Sequence, residues 1–143
     1  MNRQFLSDFI NDRDSILGHR KSYGLTMSPY SISMNLLQKK CIPCEGGIPP
    51  LTSEQIAALL PQTPGWLVVD NKKIQRVFVL KDFRDAMKFV NNVAEIANTE
   101  DHHPDITINY KKVTLELWTH AIGGLSENDF IVAAKINALP TKF

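Results

Sequence analysis

Charge of one sign, long apolar runs and cysteine are all scarce in this 143-residue chain, and each scarcity excludes something. Its 16 basic and 15 acidic residues leave a formal net charge of +1. So even a balance has no electrostatic footprint for a nucleic-acid backbone or an anionic membrane. The longest apolar runs, Ile56 to Leu60 and Phe130 to Ala134, reach five residues, against the roughly 20 that a membrane-spanning helix needs. The expectation is a soluble, cytoplasmic protein with neither nucleic acid nor membrane as partner. The only cysteines are Cys41 and Cys44. A structural zinc site takes four ligands, and no second pair or nearby histidine supplies the others. A redox Cys-x-x-Cys opens a helix after a strand, whereas Gly46, Gly47, Pro49 and Pro50 follow here. The two read as reduced thiols, with no metal and no disulfide expected.

What is present suffices for one modest core. A hydrophobic content of 43% is that of an ordinary globular domain, and small domains gain from self-association because they bury proportionally less surface. Residues 1–33 stand apart: turn formers punctuate them and no apolar periodicity is sustained. Acids at Asp8, Asp12 and Asp14 exclude a mitochondrial-type leader, and the missing apolar core excludes a secretory one. We expect an N-terminal extension over residues 1–37, either disordered or preceding an effective start at Met34, and a single domain over 38–143.

Within that domain the elements announce themselves. Thr52-Ser-Glu-Gln55 reads as a capping box opening a helix to about Leu60, closed by Pro61 and Pro64. Trp66 to Val69 and Ile74 to Leu80 are β-type runs around a turn at Asp70-Asn71-Lys72. From Lys81 the period changes. Phe83, Ala86, Met87, Val90, Ala94 and Ala97 share one helical face, which Phe89, Val93 and Ile96 widen. So wide a stripe suggests that another subunit packs on part of it. A second hairpin alternates Ile106, Ile108 and Tyr110, turns at Lys111-Lys112, and returns through Val113, Leu115 and Leu117. Gly123-Gly124 breaks the chain, and Ser126-Glu-Asn-Asp129 caps a last helix. The expected fold is α+β: a four-stranded antiparallel sheet with three helices on one face, in the order α-β-β-α-β-β-α.

Three of the four histidines, His102, His103 and His120, fall within nineteen residues. Pro104 biases His103 toward extended backbone, so adjacent rings point apart. His120, read as the end of the last strand, has the parity of Thr114, Glu116 and Trp118, opposite the core set. The start of one strand and the end of its antiparallel partner meet at one sheet edge, which draws the three imidazoles into one region. Such a cluster can give and take protons near neutral pH. A solvated His-His loop, a structural hydrogen bond or a three-histidine zinc site also fit those residues. Asp129 completes a Ser-x-x-Asp capping box, Asp105 can stabilise a turn, and Glu100 with Asp101 sits at a helix C-terminus that disfavours acids unless solvent or the histidines engage them.

The spacing of His102-His103-Pro104, Tyr110, His120 and Asp129 resembles the signature of the pterin-4a-carbinolamine dehydratases. Pro64-Gly65-Trp66, Gly124-Leu125-Ser126 and the Cys41 to Gly47 segment are similar to that family too, over roughly residues 39–140. One position departs: the family usually carries an acid four residues before the first histidine, where this chain has Asn98, with Glu100 the nearby substitute. The resemblance implies a cofactor-free hydro-lyase that dehydrates 4a-hydroxytetrahydrobiopterin or a related tetrahydropterin, recycling the pterin of an aromatic amino-acid hydroxylase. It implies His102, His103 and His120 as catalytic residues, with His103, Pro104, Asp105 and Asp129 binding substrate, no metal, and a homo-oligomer (dimer or tetramer). The alternative on the same fold is a non-catalytic interaction or assembly module, for which Asn98 is the foothold.

Overall fold

The computed structural model describes residues 35–44 and 46–143. Of the extension expected over 1–37, only residues 35–37 are among them; the readings made for residues 1–33 and for Met34 lie outside the described residues. Those three are not separate from the domain. Leu36 is 1% exposed, its amide donates to the Gln62 side chain, and the compact unit begins at Asn35, ahead of the boundary expected at 38.

The first hairpin pairs β1 (Leu67–Val69) with β2 (Lys73–Val79). Asp70 and Asn71 take φ of 50° and 57°, and the Lys72 amide donates to the Val69 carbonyl at 3.0 Å. Two left-handed central residues make a type I′ turn, whose twist matches its strands. The second hairpin pairs β3 (Asp105–Asn109) with β4 (Lys112–Leu117). Its turn sits one residue earlier than expected, at Tyr110-Lys111: Tyr110 takes φ 54°, and Lys112 already pairs with Asn109.

The strand order is β1-β2-β4-β3, antiparallel throughout. Ile74, Phe78, Val113, Leu115 and Leu117 point to one face and are buried. Val77 and Val79 point to the other and stand exposed, so the helices cover one face only. Ile106 and Ile108 lie opposite Leu115 and Val113 yet stay over a third exposed, because edge strand β3 has a neighbour on one side alone.

Three helices form the second layer: α1 (Ser53–Leu59), α2 (Phe83–Glu100) and α3 (Glu127–Asn137). The capping box of α1 is present, with Thr52 and Gln55 bonded reciprocally at 2.9 and 3.4 Å. Helix α2 buries Ala86, Phe89, Val93 and Ala97, and the Phe89 ring lies 4.6 Å from that of Phe78. Truncating so large a buried ring typically costs about 3–5 kcal/mol. Helix α3 is buried from Asn128 to Ala134, which makes it the centre of the helical layer. No helix among the described residues is long and apolar enough to cross a membrane.

Candidate active site

Helix α2 ends in a left-handed turn. Asp101 takes φ 50°, a conformation that a short polar side chain tolerates, and the His102 amide donates back to the Ala97 carbonyl at 3.1 Å. This turns His102 inward, leaving its side chain 11% exposed. Its Nε2 lies 2.6 Å from Asp129 Oδ1. A carboxylate only accepts, so Nε2–H donates and Nδ1 is left as the proton-accepting nitrogen. His103 is exposed, and its Nε2–H donates to Asn98 Oδ1 at 3.2 Å.

Asp129, fully buried, has two duties on separate oxygens. Oδ2 accepts the Ser126 amide at 2.8 Å, which caps α3, and the Thr119 hydroxyl at 2.9 Å. Oδ1 holds His102. Three donors on one buried carboxylate offset the desolvation that would otherwise penalise its charge. Asp129, expected among the substrate-binding residues, is enclosed here, and its Oδ1 meets the His102 ring.

Glu100 does not substitute for an acid beside His102. It pairs with the Lys135 ammonium and accepts the Cys41 amide at 2.9 Å. Burial works to raise the Glu100 carboxyl, but the Lys135 and Cys41 hydrogen bonds outweigh it and hold it below the usual carboxylate range. The same setting, through burial and then the Glu100 charge, pushes the Cys41 thiol up to about 12. Asn128 clasps Ile42 through its amide in both directions, at 3.1 and 2.6 Å, and Lys39 pairs with Glu127. The cysteine segment is therefore a strap over the start of α3, with both thiols free.

His120 does not end the last strand as expected. Strand β4 stops at Leu117, where its partner β2 begins to turn away, and His120 opens a 3₁₀ turn, His120–Ile122. The pleat nevertheless persists. Thr119 keeps extended angles and bridges Gly124, with its amide donating to the Gly124 carbonyl at 2.8 Å. Gly123 supplies φ 65°, and a Cβ on Gly124 would come within 2.7 Å of Pro50. The glycine pair thus closes a loop that presents His120 outward, where it is exposed.

The alternation Trp118-Thr119-His120 decides which group goes where. Thr119 points in, to Asp129 and to Ser126 Oγ at 2.7 Å. Trp118 and His120 point out and stack, with ring centroids 3.7 Å apart and planes 32° apart. The Trp118 indole donates to Asp105 Oδ2 at 3.0 Å. Hence the neighbours of His120 bond to residues beside the other two histidines: Trp118 to Asp105, two residues past His103, and Thr119 to the carboxylate that holds His102. Pro104 is half-buried between them in sequence, and Asp105 is exposed. Motif spacing did not single out Thr119 or Trp118, although strand parity marks both. The three rings have separate partners, and among the described residues no group of three or more His, Cys, Asp and Glu is arranged to hold a metal ion. The zinc alternative therefore has no ligand set there.

Comparison with known proteins bears on the same residues. A family model described as pterin 4 alpha carbinolamine dehydratase matches residues 49–139. The chain is 53% identical over 105 residues to a protein of Nitrosospira multiformis, covering 73% of this chain and 92% of that one. It is 47% identical over 107 residues to a protein of Dechloromonas aromatica, covering 75% and 95%. Both bear the name "Putative pterin-4-alpha-carbinolamine dehydratase". Among solved structures, the transcriptional coactivator/pterin dehydratase of Brucella melitensis matches with a TM-score of 0.59 at 37% identity, over 62% of this chain and 96% of that one.

Proposed function

The chain belongs to the pterin 4 alpha carbinolamine dehydratase family, and from that premise we propose that it dehydrates a 4a-hydroxytetrahydropterin by histidine acid–base chemistry. Atom by atom, the C4a–O bond breaks as the leaving hydroxyl takes a proton from a general acid and departs as water. The N5 lone pair forms the C4a=N5 bond, and a base removes the N5 proton. The product is the quinonoid dihydropterin, with no change of oxidation state.

His102 and His120 are the acid–base pair in this reading. His103 binds the pterin and shares the proton traffic, with Pro104 and Asp105 beside it in the binding wall. Asp129 orients His102. The observation that carries the reading is the 2.6 Å bond from His102 Nε2 to a fully buried carboxylate. A ring pinned through one nitrogen keeps the other aimed, and aim is what general acid–base catalysis requires, a contribution of roughly 10²–10⁴-fold. The substrate class points to an aromatic amino-acid hydroxylase as its source, in the cytoplasm, and the stripe on α2 to a homo-oligomer.

The test is the decay of carbinolamine absorbance with purified protein. Wild type is expected to accelerate it, and His102→Ala and His120→Ala each to lose at least about 10²-fold of that acceleration. Decay at the uncatalysed rate with wild type would sink the proposal. The Brucella melitensis protein is called both transcriptional coactivator and pterin dehydratase, which favours a non-catalytic interaction role as the second reading. That reading predicts full biological activity from His102→Ala.

A further inference from the structure

We propose that Trp118 is a positioning residue: its indole fixes the His120 ring and ties it to the start of β3 through Asp105. The inference rests on the dehydratase reading and deepens it. His120 is exposed on a short turn, and an exposed imidazole there samples several rotamers unless something holds it. The contacts described above point to one holder. The indole face lies against the imidazole, and the indole N–H is spent on Asp105, a charge-assisted bond that stops the indole itself from turning. Backbone geometry makes the pairing obligatory. With Thr119 pinned inward on Asp129 and bridged to Gly124, residues 118 and 120 must lie on the same side.

Aim matters because a misplacement near 1 Å can cost a catalytic group as much as about 10²-fold. The competing role for Trp118 is direct contact with substrate, since it also lines a cleft of about 270 Å³ with Val69, Lys72 and Lys73. These roles separate kinetically. A residue that acts through His120 changes kcat; one that binds substrate uniformly changes KM.

The experiment uses the full chain and the variants Trp118→Ala, Trp118→Phe, His120→Ala and the Trp118→Ala/His120→Ala pair. Trp118→Ala is expected to lower kcat on the order of 10-fold with KM within about twofold. Trp118→Phe, which keeps a ring face but loses the bond to Asp105, should recover only part of that loss. In the His120→Ala background Trp118→Ala should cost nothing more, because a strut without its load has no further effect. Independently of activity, the His120 ring protons should show an upfield ring-current shift by NMR that Trp118→Ala abolishes and Trp118→Phe retains in part. A raised KM at unchanged kcat, additive losses in the pair, or His120 signals indifferent to Trp118 would each overturn the proposal. An inactive wild type that shows the ring-current shift would defeat the dehydratase reading while supporting the orientation itself.

Discussion

The two halves of the site are built in opposite ways. His102, Asp129, Thr119 and Ser126 form a buried network that is also the N-terminal cap of α3, the most enclosed helix of the domain. His120, Trp118 and Asp105 are partly or fully exposed and joined by a ring stack and one hydrogen bond, and His103 with Asn98 makes a separate exposed pair held by another. The buried half shares its bonds with the fold, so perturbing it disturbs stability and chemistry together. The exposed half is held by contacts that the core does not need. Any change there is expected to appear in the chemistry first.

Substitution can break this comparison, and the largest expected effect is at Asp129. Asp129→Ala strands three donors, and each buried polar group left unpaired costs about 1–3 kcal/mol. We expect a loss of about 3 kcal/mol or more in denaturant unfolding, along with most dehydratase activity. Retained stability would mean that the cap and the anchor are separable. Next comes the Glu100–Lys135 pair at the other side of α3. Glu100 is held below its ordinary range, so its contribution is fully present above the usual carboxylate pKa and is lost as pH falls through the depressed folded value. Unfolding free energy should therefore decline below roughly pH 4. Glu100→Gln should flatten that decline and cost about 1–3 kcal/mol at neutral pH, measured by urea titration across pH.

Smaller effects sharpen the same line. Thr119→Val keeps the shape but removes the hydroxyl shared with Asp129 and Ser126, and about 1–2 kcal/mol of stability should go with it. Because the Thr119 hydroxyl bonds the same carboxylate as His102, activity should fall too, by less than in Asp129→Ala; steady-state kinetics beside the melt decides this. Smallest is Asn98→Ala on the exposed side. With His103 Nε2 released, we expect a stability change within about 0.5 kcal/mol and a measurable fall in turnover. A destabilisation as large as that of Thr119→Val would erase the distinction between the halves.

Much of this was legible in the chain. The capping boxes at Thr52 and Ser126, both hairpins and the α-β-β-α-β-β-α order follow from local signals: cap chemistry, left-handed turn residues and periods of two and 3.6. The errors were also local. Alternation carried through Tyr110 puts the turn at Lys111-Lys112, yet the left-handed angle falls on Tyr110 and Lys112 is already paired. Reading the last strand through to His120 overruns β4, which stops at Leu117, yet the side that its parity assigns holds because the pleat persists one bridge beyond the ladder.

By itself, the sequence determined which residues have titratable chemistry, how far apart they lie, and which side of a strand each one takes. Only the tertiary structure decided their partners: that Asp129 divides its oxygens between a helix cap and His102, that Glu100 turns to Lys135, and that Trp118 leans on His120. The reason is physical. Period and cap are set by neighbours within a few residues, whereas a buried carboxylate takes whichever donors packing brings to it, from as far as 27 positions away along the chain.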